Sequence, residues 1–283
     1  MATDLEARME WVRSRAAVPR FEWLDTTGST NDVAREAATG ADAAAWPHGA
    51  AIVTDDQTQG RGRLGRTWLA PTGKTLAISV LLRPGADLPA DAYGWIPLLA
   101  GVAMTETVRA AVAAASVDRG GEDDGTGGVE VELKWPNDVL VSGYKVCGIL
   151  SELVAEGTVV VGAGLNVALD EHDLPTLTST SLLLVTGRRP DPDAVLADYL
   201  TRLLDLVDRF VAAGGDAVAS GAAERLVAVC GTLGRDVRVE LPGGGELLGV
   251  AEAVAPDGRL MVRDREDGEI RAVAAGDVTH LRY

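Results

Sequence analysis

Lysine, histidine and cysteine are all scarce in this 283-residue chain. Only three of its 26 basic residues are lysine: Lys74, Lys134 and Lys145. Because arginine serves almost everywhere else, we expect lysine where a compact charge on a flexible stem is needed. The three histidines are scattered, so a histidine-rich metal site is not expected. Two cysteines without a spacing motif indicate free buried thiols in a reducing cytoplasm.

Positive charge is also lacking overall, since the formal net charge is −16. Such an acidic chain is not expected to bind nucleic acid or an anionic membrane surface. The first residues, Met1 to Glu6, lack the apolar core of a signal peptide. The most apolar helical segment, residues 95–115, contains Glu106 and Arg109 and is therefore predicted not to span a membrane.

The length suits one large domain followed by a small one. Residues 1–230 alternate apolar strand-like runs with helical patterns, which predicts a sheet covered by helices mainly on one face. Residues 231–283 contain short alternating strands joined by tight turns, which predicts a small β-barrel. We expect helices at 5–15, 93–116, 192–213 and 217–229, a loop with a short helix at 174–181, and an exposed loop at 118–128.

The chain is organised around residues 55–74, which separate two strand-like apolar runs, 50–54 and 75–82. Loops of about twenty residues inside compact domains are usually functional or disordered. Within residues 60–68 there are three glycines, three arginines and a tryptophan. Glycine lets a backbone approach a ligand closely, and arginine grips carboxylate or phosphate with a planar fork. This composition predicts a mobile loop that closes on a small anion; the alternative is a surface hairpin with solvated arginines.

The same loop carries the spacing of a dinucleotide-binding fingerprint at Gly60, Gly62 and Gly65. That fingerprint requires a helix starting at its third glycine. Here Pro71 and Gly73 follow and lead into another strand, so a dinucleotide fold is not predicted. A protein kinase is excluded as well, because no His-Arg-Asp or Asp-Phe-Gly sequence occurs downstream.

Five stretches in this order strongly resemble the biotin protein ligases. They are Gly-Ser-Thr-Asn at 28–31, the loop at 57–68, Lys-Trp-Pro-Asn-Asp at 134–138, Lys-Val-Cys-Gly-Ile-Leu-Ser-Glu at 145–152, and Gly-Ala-Gly-Leu-Asn-Val at 162–167. Residues 231–283 resemble the SH3-like C-terminal domain of that family. Each motif alone is weak, but together they are specific and cover about residues 20–283.

The resemblance implies an α+β fold. Its catalytic part, residues 1–230, would hold a mixed β-sheet covered by helices, the class II synthetase-like biotin/lipoate ligase fold. Residues 231–283 would form the SH3-like barrel. Repressor members of the family carry an N-terminal winged helix, which takes roughly sixty residues. Only about 25 residues precede the first motif here, so the short, purely catalytic type is expected.

The resemblance also implies a two-step reaction. The carboxylate of biotin attacks the α-phosphate of ATP to give biotinoyl-5′-AMP. A lysine of the biotin carboxyl carrier domain of a biotin-dependent carboxylase then takes the biotinoyl group. Mg²⁺ is implied by ATP chemistry, and its ligands are not evident from the sequence.

Residue roles follow from the same resemblance. Lys145 is expected to contact the biotin carboxylate and the α-phosphate, and Arg63 to clamp phosphate. Asp138 would orient the incoming amine, deprotonate it, or only hold its loop. Expected biotin contacts are Ser29, Thr30, Asn31, Gln57, Gly60, Arg61, Gly62, Arg63 and Lys145. Expected ATP or adenylate contacts are Arg61, Arg63, Arg66, Trp68, Lys134, Asn137 and Asn166.

Two other functions stay open at this point. A lipoate or octanoate ligase shares the fold, but a lipoyl tail needs no partners for a ureido ring, which the Ser-Thr-Asn motif and Gln57 would supply. A non-enzymatic biotin-binding regulator is the second alternative. The loop arginines and the three lysines near motifs favour chemistry over simple binding.

Overall fold

The computed structural model describes residues 10–69, 71–117, 128–155, 157–241, 244–274 and 277–281. The expected loop at 118–128 lies outside these residues except for Gly128. The expected helix at 5–15 lies outside them up to residue 9.

A seven-stranded sheet forms the centre of the larger part of the chain, with strand order β1-β2-β3-β7-β6-β5-β4. The strands are β1 Phe21–Trp23, β2 Ala50–Thr54, β3 Thr75–Leu82, β4 Val131–Lys134, β5 Asp138–Val141, β6 Tyr144–Ala155 and β7 Thr158–Asn166. Strand β1 pairs with β2 in parallel, and all other pairs are antiparallel, so the sheet is mixed. Every residue of β2 and β3 is buried, as expected for central strands.

Helices cover the two faces of this sheet unequally. They are α1 Val12–Ala17, α2 Thr30–Thr39, α3 Ile96–Val117, α4 Leu182–Thr186, α5 Pro192–Ala212 and α6 Ala222–Val229. The main core lies under α3 and α5 and includes Leu99, Leu203 and Phe210. On the other face, α2 packs Ala34 against Ile52 in a much smaller cluster. The part of that second face which α2 leaves uncovered is available for a ligand.

The segment Ala90–Ser116, which contains α3 up to Ser116, is long and apolar enough to cross a membrane by length and composition. However, 67% of its most apolar window is buried inside the structure. The carboxylate of Glu106 pairs with Arg202 at 3.2 Å and with Arg225, on α5 and α6 respectively. A buried helix with charges paired to neighbouring helices is a core helix.

Among the described residues, the first helix starts at Val12, and its Ser14 is fully buried against the carboxylate of Asp193, with 2.6 Å between Oγ and Oδ1. Two other helices begin later than the sequence pattern indicated. The helix expected within 174–181 instead starts at Leu182, because the Ser181 hydroxyl accepts a capping hydrogen bond from the Leu184 amide. The helix expected at 217–229 is confined to α6, which starts at 222.

The C-terminal part forms a separate five-stranded antiparallel sheet with order β11-β10-β9-β8-β12. Its strands are β8 Asp236–Glu240, β9 Glu246–Val254, β10 Leu260–Asp264, β11 Ile270–Val273 and β12 Asp277–His280. Alternate residues such as Val237, Val239 and Val262 are fully buried, and they are continuous with the main core of the larger part. Strand β12 was not expected from the sequence; it pairs with β8 and extends the small SH3-like sheet.

The turn between β9 and β10 docks the C-terminal sheet on the larger one. The indole nitrogen of Trp95 donates to Pro256 O at 2.7 Å, and that of Trp135 donates to Gly258 O at 3.2 Å. A side chain at Gly94 would lie 2.2 Å from Asp257 O, so only glycine permits this approach. The C-terminal sheet therefore lies directly beside the motif at 134–138.

Candidate active site

The floor of the candidate site is a row of small residues that crosses adjacent strands. Antiparallel pairing aligns Ala77 with Gly164, Gly164 with Gly148, and Gly148 with Asp138. Directly paired residues project to the same face of a sheet. A second row, two residues along the strands, aligns Ser79, Gly162 and Leu150. These rows leave an open depression on the face that α2 only partly covers.

At one end of the depression, the N-terminus of α2 meets Gln57. The Gln57 side-chain oxygen accepts from the Thr30 amide at 2.9 Å and lies 3.3 Å from the Thr30 hydroxyl. Ser29 is the N-cap residue, yet its side chain makes no capping hydrogen bond. The Ser29 hydroxyl, which lines the pocket, therefore has no capping duty and can bind a ligand.

The loop between β2 and β3 folds over this end. Thr27 forms an isolated parallel bridge with Gln57, and the Trp68 amide donates to Gly60 O at 2.9 Å. A side chain at Gly60 would meet the Trp68 carbonyl at 2.4 Å, so this crossing requires glycine. The Gly62 amide donates to Arg66 O at 2.7 Å and closes the tip of the loop.

The loop arginines are already engaged by polar partners. Arg61 Nη2 lies 2.6 Å from Asp32 Oδ1 and 3.6 Å from Glu152 Oε2. Arg63 donates to the side-chain oxygen of Asn137 at 2.7 Å. Arg61 and Arg63 line the pocket, whereas Arg66 is exposed on the loop and does not line it.

An ion pair sits in the middle of the depression. Lys145 Nζ lies 2.7 Å from Asp138 Oδ1. Asn137 donates to the same Asp138 oxygen at 3.1 Å and to Ile149 O at 3.2 Å. Lys145, Asp138, Asn137 and Arg63 thus form one connected polar group. Beneath it, burial raises the pKa of the Cys147 thiol, so that side chain stays neutral and belongs to the core.

The Trp68 indole lies on the glycine row. A side chain at Gly164 would come within 2.4 Å of the ring, and one at Gly148 within 3.3 Å. Lys145 Nζ is 5.7 Å from the ring centroid, within the range of a cation–π contact. The indole nitrogen is buried without a hydrogen-bond partner, so the ring donates nothing in this arrangement.

Two expected residues lie just outside this pocket. Lys134 pairs in register with Asp138 and so extends the glycine row to the edge strand β4. Asn166 pairs with Thr75 one row beyond Gly164, is almost fully buried, and donates to Thr180 O at 2.9 Å. The side-chain oxygens of both Asn166 and Thr75 are buried without partners.

The third lysine has a structural role. Lys74 Nζ lies 3.0 Å from Asp170 Oδ2 and also contacts Asp173, which ties the end of the loop to the segment after β7. The hydrogen bond from Lys74 lowers the pKa of Asp170 to about 2. At the other end of the loop, burial raises the pKa of Asp55.

Comparison with known proteins identifies the family to which this chain belongs. The biotin/lipoate A/B protein ligase family matches residues 24–166, and the biotin protein ligase C-terminal domain matches residues 232–281. The chain is 37% identical, over 90% of its length, to the biotin–[acetyl-CoA-carboxylase] ligase of Mycobacterium tuberculosis, of which it covers 87%. This chain belongs to the biotin protein ligase family. The resemblance expected from the five motifs is confirmed.

Other relatives of this ligase include longer proteins. The bifunctional ligase/repressor BirA of Bacillus spizizenii is 33% identical over 63% of this chain, which spans 50% of that protein. The structure of the biotin protein ligase from Aquifex aeolicus in complex with biotin and ATP matches with a TM-score of 0.71 and 26% identity. That match covers 94% of this chain and all of the other, so the expected fold class is confirmed.

The ligase fold gathers most of the residues that the motifs pointed to. Lining the pocket are Ser29, Thr30, Asn31, Gln57, Arg61, Gly62, Arg63, Trp68, Asn137 and Lys145. Gly60 lies within the loop against the Trp68 carbonyl and does not line the pocket, and Asp138 contacts Lys145. Arg66, Lys134 and Asn166 do not line the pocket. The individual roles of all these residues stay predictions.

Several site residues were missed in the ligase sequence. Gly148, Gly162 and Gly164 form the floor, Ser79 lies in the same row as Gly162 beneath Thr30 and Asn31, and Glu152 holds both Arg61 and Asn31. Part of the signal was present, because β3 and β7 carry small residues at alternate positions and β6 contributes Gly148. Glycine inside a strand often marks a face that a ligand or another segment approaches closely. Only the strand register shows that these small residues lie side by side.

Gly164→Ala tests whether the indole of Trp68 rests on the floor. The new methyl group would meet the ring at 2.4 Å, so the loop must lift while the strand persists. We expect a red shift of tryptophan emission in Gly164→Ala, because the indole becomes hydrated. The same substitution in a Trp68→Phe background should give no shift.

Gly128→Ala is the matched control, since a side chain there meets no atom within 4 Å. A red shift that persists in the Trp68→Phe background would show that another tryptophan responds.

Proposed function

We propose that this chain is an ATP-dependent biotin–[biotin carboxyl-carrier protein] ligase. It activates biotin as biotinoyl-5′-AMP and transfers the biotinoyl group to a lysine of a biotin carboxyl carrier domain. The relatives support this: one is named a biotin–[acetyl-CoA-carboxylase] ligase, and another was solved with biotin and ATP.

One observation carries the proposal: the polar groups lie at three successive rows of the sheet. Ser79 marks the first row, the Lys145–Asp138 pair stands over the second, and Asn166 marks the third. Residues two apart on a strand are separated by about 7 Å, so the rows span about 14 Å. That length matches an elongated adenylate with a ureido ring at one end, a mixed anhydride in the middle and a nucleoside at the other.

The first chemical step would occur at Lys145. A carboxylate oxygen of biotin attacks the α-phosphorus, and the bond from that phosphorus to the bridging oxygen of pyrophosphate breaks. Because two anions must meet, fixed positive charge at the point of attack lowers the barrier. Lys145 supplies that charge by exchanging its contact with Asp138 for the substrate oxygens. Arg63, which contacts Asn137 in this structure, is placed to grip phosphate in the same way.

Mg²⁺ would arrive with ATP rather than occupy a protein cage. Among the residues that the structure describes, no three Asp, Glu, His or Cys side chains are grouped so as to hold a metal ion. Mg²⁺ is commonly bound through substrate phosphates with only one or two protein carboxylates. Its contribution would be to neutralise phosphate charge.

The ureido end favours biotin over a lipoyl acid. Ser29, Thr30 and Gln57 present hydroxyl and amide groups in a largely buried corner. A dithiolane ring would leave the Ser29 hydroxyl and the remaining hydrogen-bonding positions of Thr30 and Gln57 unused, and an unpaired buried group costs about 1–3 kcal/mol. The ordered Lys145–Asp138–Asn137–Arg63 group in turn favours an enzyme over a regulator that only binds biotin.

The carrier lysine would enter through a second groove, with a volume of about 410 Å³, that adjoins the reaction centre. The groove shares Arg63 and Asn137 with the first pocket and runs between Trp135 and the C-terminal residues Gly258 and Ala274. The lysine amine attacks the acyl carbon, the carbon–oxygen bond to AMP breaks, and the amine loses a proton. Asp138, which contacts Lys145 and Asn137, would orient that amine, accept its proton, or only hold its loop.

We further propose a domain boundary between residues 230 and 231 and a cytoplasmic location. The boundary is supported by the two separate sheets and by the family matches that end at 166 and restart at 232. A cytoplasmic location is supported by two buried free cysteines. A nucleic-acid or membrane partner is disfavoured by the net charge of −16.

Biotin-dependent ATP–pyrophosphate exchange tests the proposed activity directly. The purified chain should exchange labelled pyrophosphate into ATP only when biotin is added. Lipoate and octanoate should give no more than background exchange. Exchange with lipoate but not with biotin would contradict the proposal.

Lys145→Arg tests the need for a compact ammonium. The wide planar guanidinium should not fit between carboxylate and α-phosphate, and a misplacement of about 1 Å can cost on the order of a hundredfold. Exchange should therefore fall nearly as far in Lys145→Arg as in Lys145→Ala, with little change in melting temperature. Lys74→Arg, whose charge only pairs with Asp170 and Asp173, is the matched control and should retain exchange. A wild-type rate of exchange in Lys145→Arg would show that Lys145 is not at the reaction centre.

Ala274→Trp tests the route of the carrier. The indole would fill the second groove without reaching Lys145, so KM for the carrier domain should rise by at least about tenfold. Biotin-dependent pyrophosphate exchange should be unchanged. Ala272→Trp, two residues earlier on the edge strand β11 and exposed outside the groove, should affect neither. Equal carrier kinetics for the two variants would rule this route out.

A further inference from the structure

One amide side chain connects the loop over the pocket to the Lys145–Asp138 pair. The side-chain oxygen of Asn137 accepts from Arg63 Nη1 at 2.7 Å. The side-chain nitrogen donates to Asp138 Oδ1 at 3.1 Å and to the backbone oxygen of Ile149 at 3.2 Å. These contacts fix the orientation of the amide, because a carboxylate and a carbonyl accept while a guanidinium donates. Each hydrogen of the amide nitrogen therefore has its own acceptor.

The backbone of Asn137 is held as firmly as its side chain. Its N–H donates to Lys134 O at 3.1 Å, within the turn between β4 and β5, and its carbonyl accepts from the Ile149 amide at 2.9 Å. The residue is half-buried and lines both the first pocket and the second groove. A side chain whose rotamer is fixed by several hydrogen bonds is a rigid support for its neighbours.

The neighbour that receives this support is Asp138. It pairs in register with Gly148, so its side chain projects to the pocket face, and that side chain is 22% exposed. Lys145 Nζ and Asn137 Nδ2 both contact the same carboxylate oxygen, Oδ1. Among the described residues, no hydrogen bond or ion pair falls on the other oxygen, Oδ2. The carboxylate thus has one oxygen that is held and one that can receive a proton from a ligand.

Lys145 would not hold Asp138 through both steps of the proposed reaction. In the first step its ammonium exchanges Asp138 for the oxygens of biotin and the α-phosphate. The N–H of Asn137 would then be the contact that stays on Oδ1, because the hydrogen bond to Ile149 anchors the same nitrogen to β6. A carboxylate without that donor could turn about its side-chain bonds. A misplacement of about 1 Å can cost on the order of a hundredfold in rate.

We propose that Asn137 is a positioning residue that keeps Asp138 Oδ2 in place to accept a proton from the carrier lysine. The lysine ammonium gives one proton to Oδ2, and the amine nitrogen attacks the acyl carbon of biotinoyl-5′-AMP. The bond from that carbon to the phosphate oxygen breaks, and its electron pair leaves on AMP. The nitrogen loses a second proton to water as the amide forms. This inference rests on the proposed function and selects proton acceptance from the three roles open to Asp138.

Transfer from preformed biotinoyl-5′-AMP isolates the step in which Asn137 acts. The protein is loaded with chemically prepared adenylate and mixed with a biotin carboxyl carrier domain or with hydroxylamine. Hydroxylamine is uncharged at neutral pH and needs no base, whereas a lysine ammonium must first lose a proton. In Asn137→Ala, the maximal rate of transfer to the carrier should fall by at least about tenfold, with KM for the carrier unchanged. Transfer to hydroxylamine should stay within about threefold of the wild-type rate.

A double-mutant cycle tests whether Asn137 acts through Asp138. Asp138→Asn removes the proton acceptor and should slow transfer to the carrier but not to hydroxylamine. Adding Asn137→Ala should then slow transfer to the carrier by less than about threefold, because the group that Asn137 positions is already gone. Asn137→Asp keeps an oxygen for Arg63 but has no N–H for Asp138. It should reproduce the loss seen in Asn137→Ala, so the test does not depend on the folding of one variant.

Thr107→Val is the matched control for removing a donor to a carboxylate. Thr107 is almost fully buried, and its Oγ1 donates to Asp198 Oδ2 at 2.8 Å. This contact joins α3 to α5, away from the pocket. Transfer to the carrier and to hydroxylamine should both keep their wild-type rates.

A wild-type rate of transfer to the carrier in Asn137→Ala would overturn the inference. An equal loss with both nucleophiles would overturn it as well, because that result indicates a general disturbance of the site. So would a loss in the double variant that equals the sum of the two single losses in free energy. Absence of transfer from biotinoyl-5′-AMP to the carrier domain by the wild type would overturn the proposed function itself. A failure of the Asn137 inference alone would leave wild-type transfer intact.

Discussion

The antiparallel register of three strands is the constraint on which the rest of the site depends. It aligns Ala77, Gly164 and Gly148 in one row and Ser79, Gly162 and Leu150 in the next. Because paired residues project to one face, the missing side chains add up to a single depression instead of scattered gaps. Trp68 and Asn31 approach the backbone of that depression at distances that any side chain would forbid. A slip of one residue in any of the three strands would turn its small residues into the core.

The charges around the depression are compensated before any substrate binds. Lys145 pairs with Asp138, and Arg61 with Asp32 and Glu152. Partly buried cations without partners would be costly, so these pairs stabilise the arrangement of the pocket. In the proposed reaction, an anionic substrate would exchange one partner for another and would not meet a bare cation. The net gain in binding would be smaller, but the donors would be held close to where charge develops.

The motif at 134–138 serves two structural tasks in addition to its place in the site. Trp135 is buried and hydrogen-bonds to Gly258 of the C-terminal sheet, while Asn137 bridges Arg63, Asp138 and the backbone of β6. The small C-terminal sheet is thereby fixed at Trp135, two positions along the chain from Asn137, which lines the pocket. A motif that looks purely catalytic in the sequence is also the joint between two folding units.

Local pattern alone determined much of this molecule. The bounds of β2 and β3 match the apolar runs at 50–54 and 75–82, and α5 matches the expected helix at 192–213 to within one residue. These elements follow from side-chain periodicity, which is a property of neighbouring residues. The residue types of the loop and of the lysine-containing motifs likewise pointed to anion chemistry before any contact was known.

Only the tertiary structure decided which residues meet. Ser79 joins Thr30 and Asn31 across 49 and 48 positions of the chain, and Glu152 reaches Asn31 across 121. Strand β12 exists because β8 offers it a free edge, and α4 begins where the Ser181 hydroxyl caps it. Pairing of distant segments depends on strand register and on packing of the whole core. Neither can be read from a short segment of the sequence. For that reason the sequence alone indicated the chemical groups of the site, while the fold set their direction and partners.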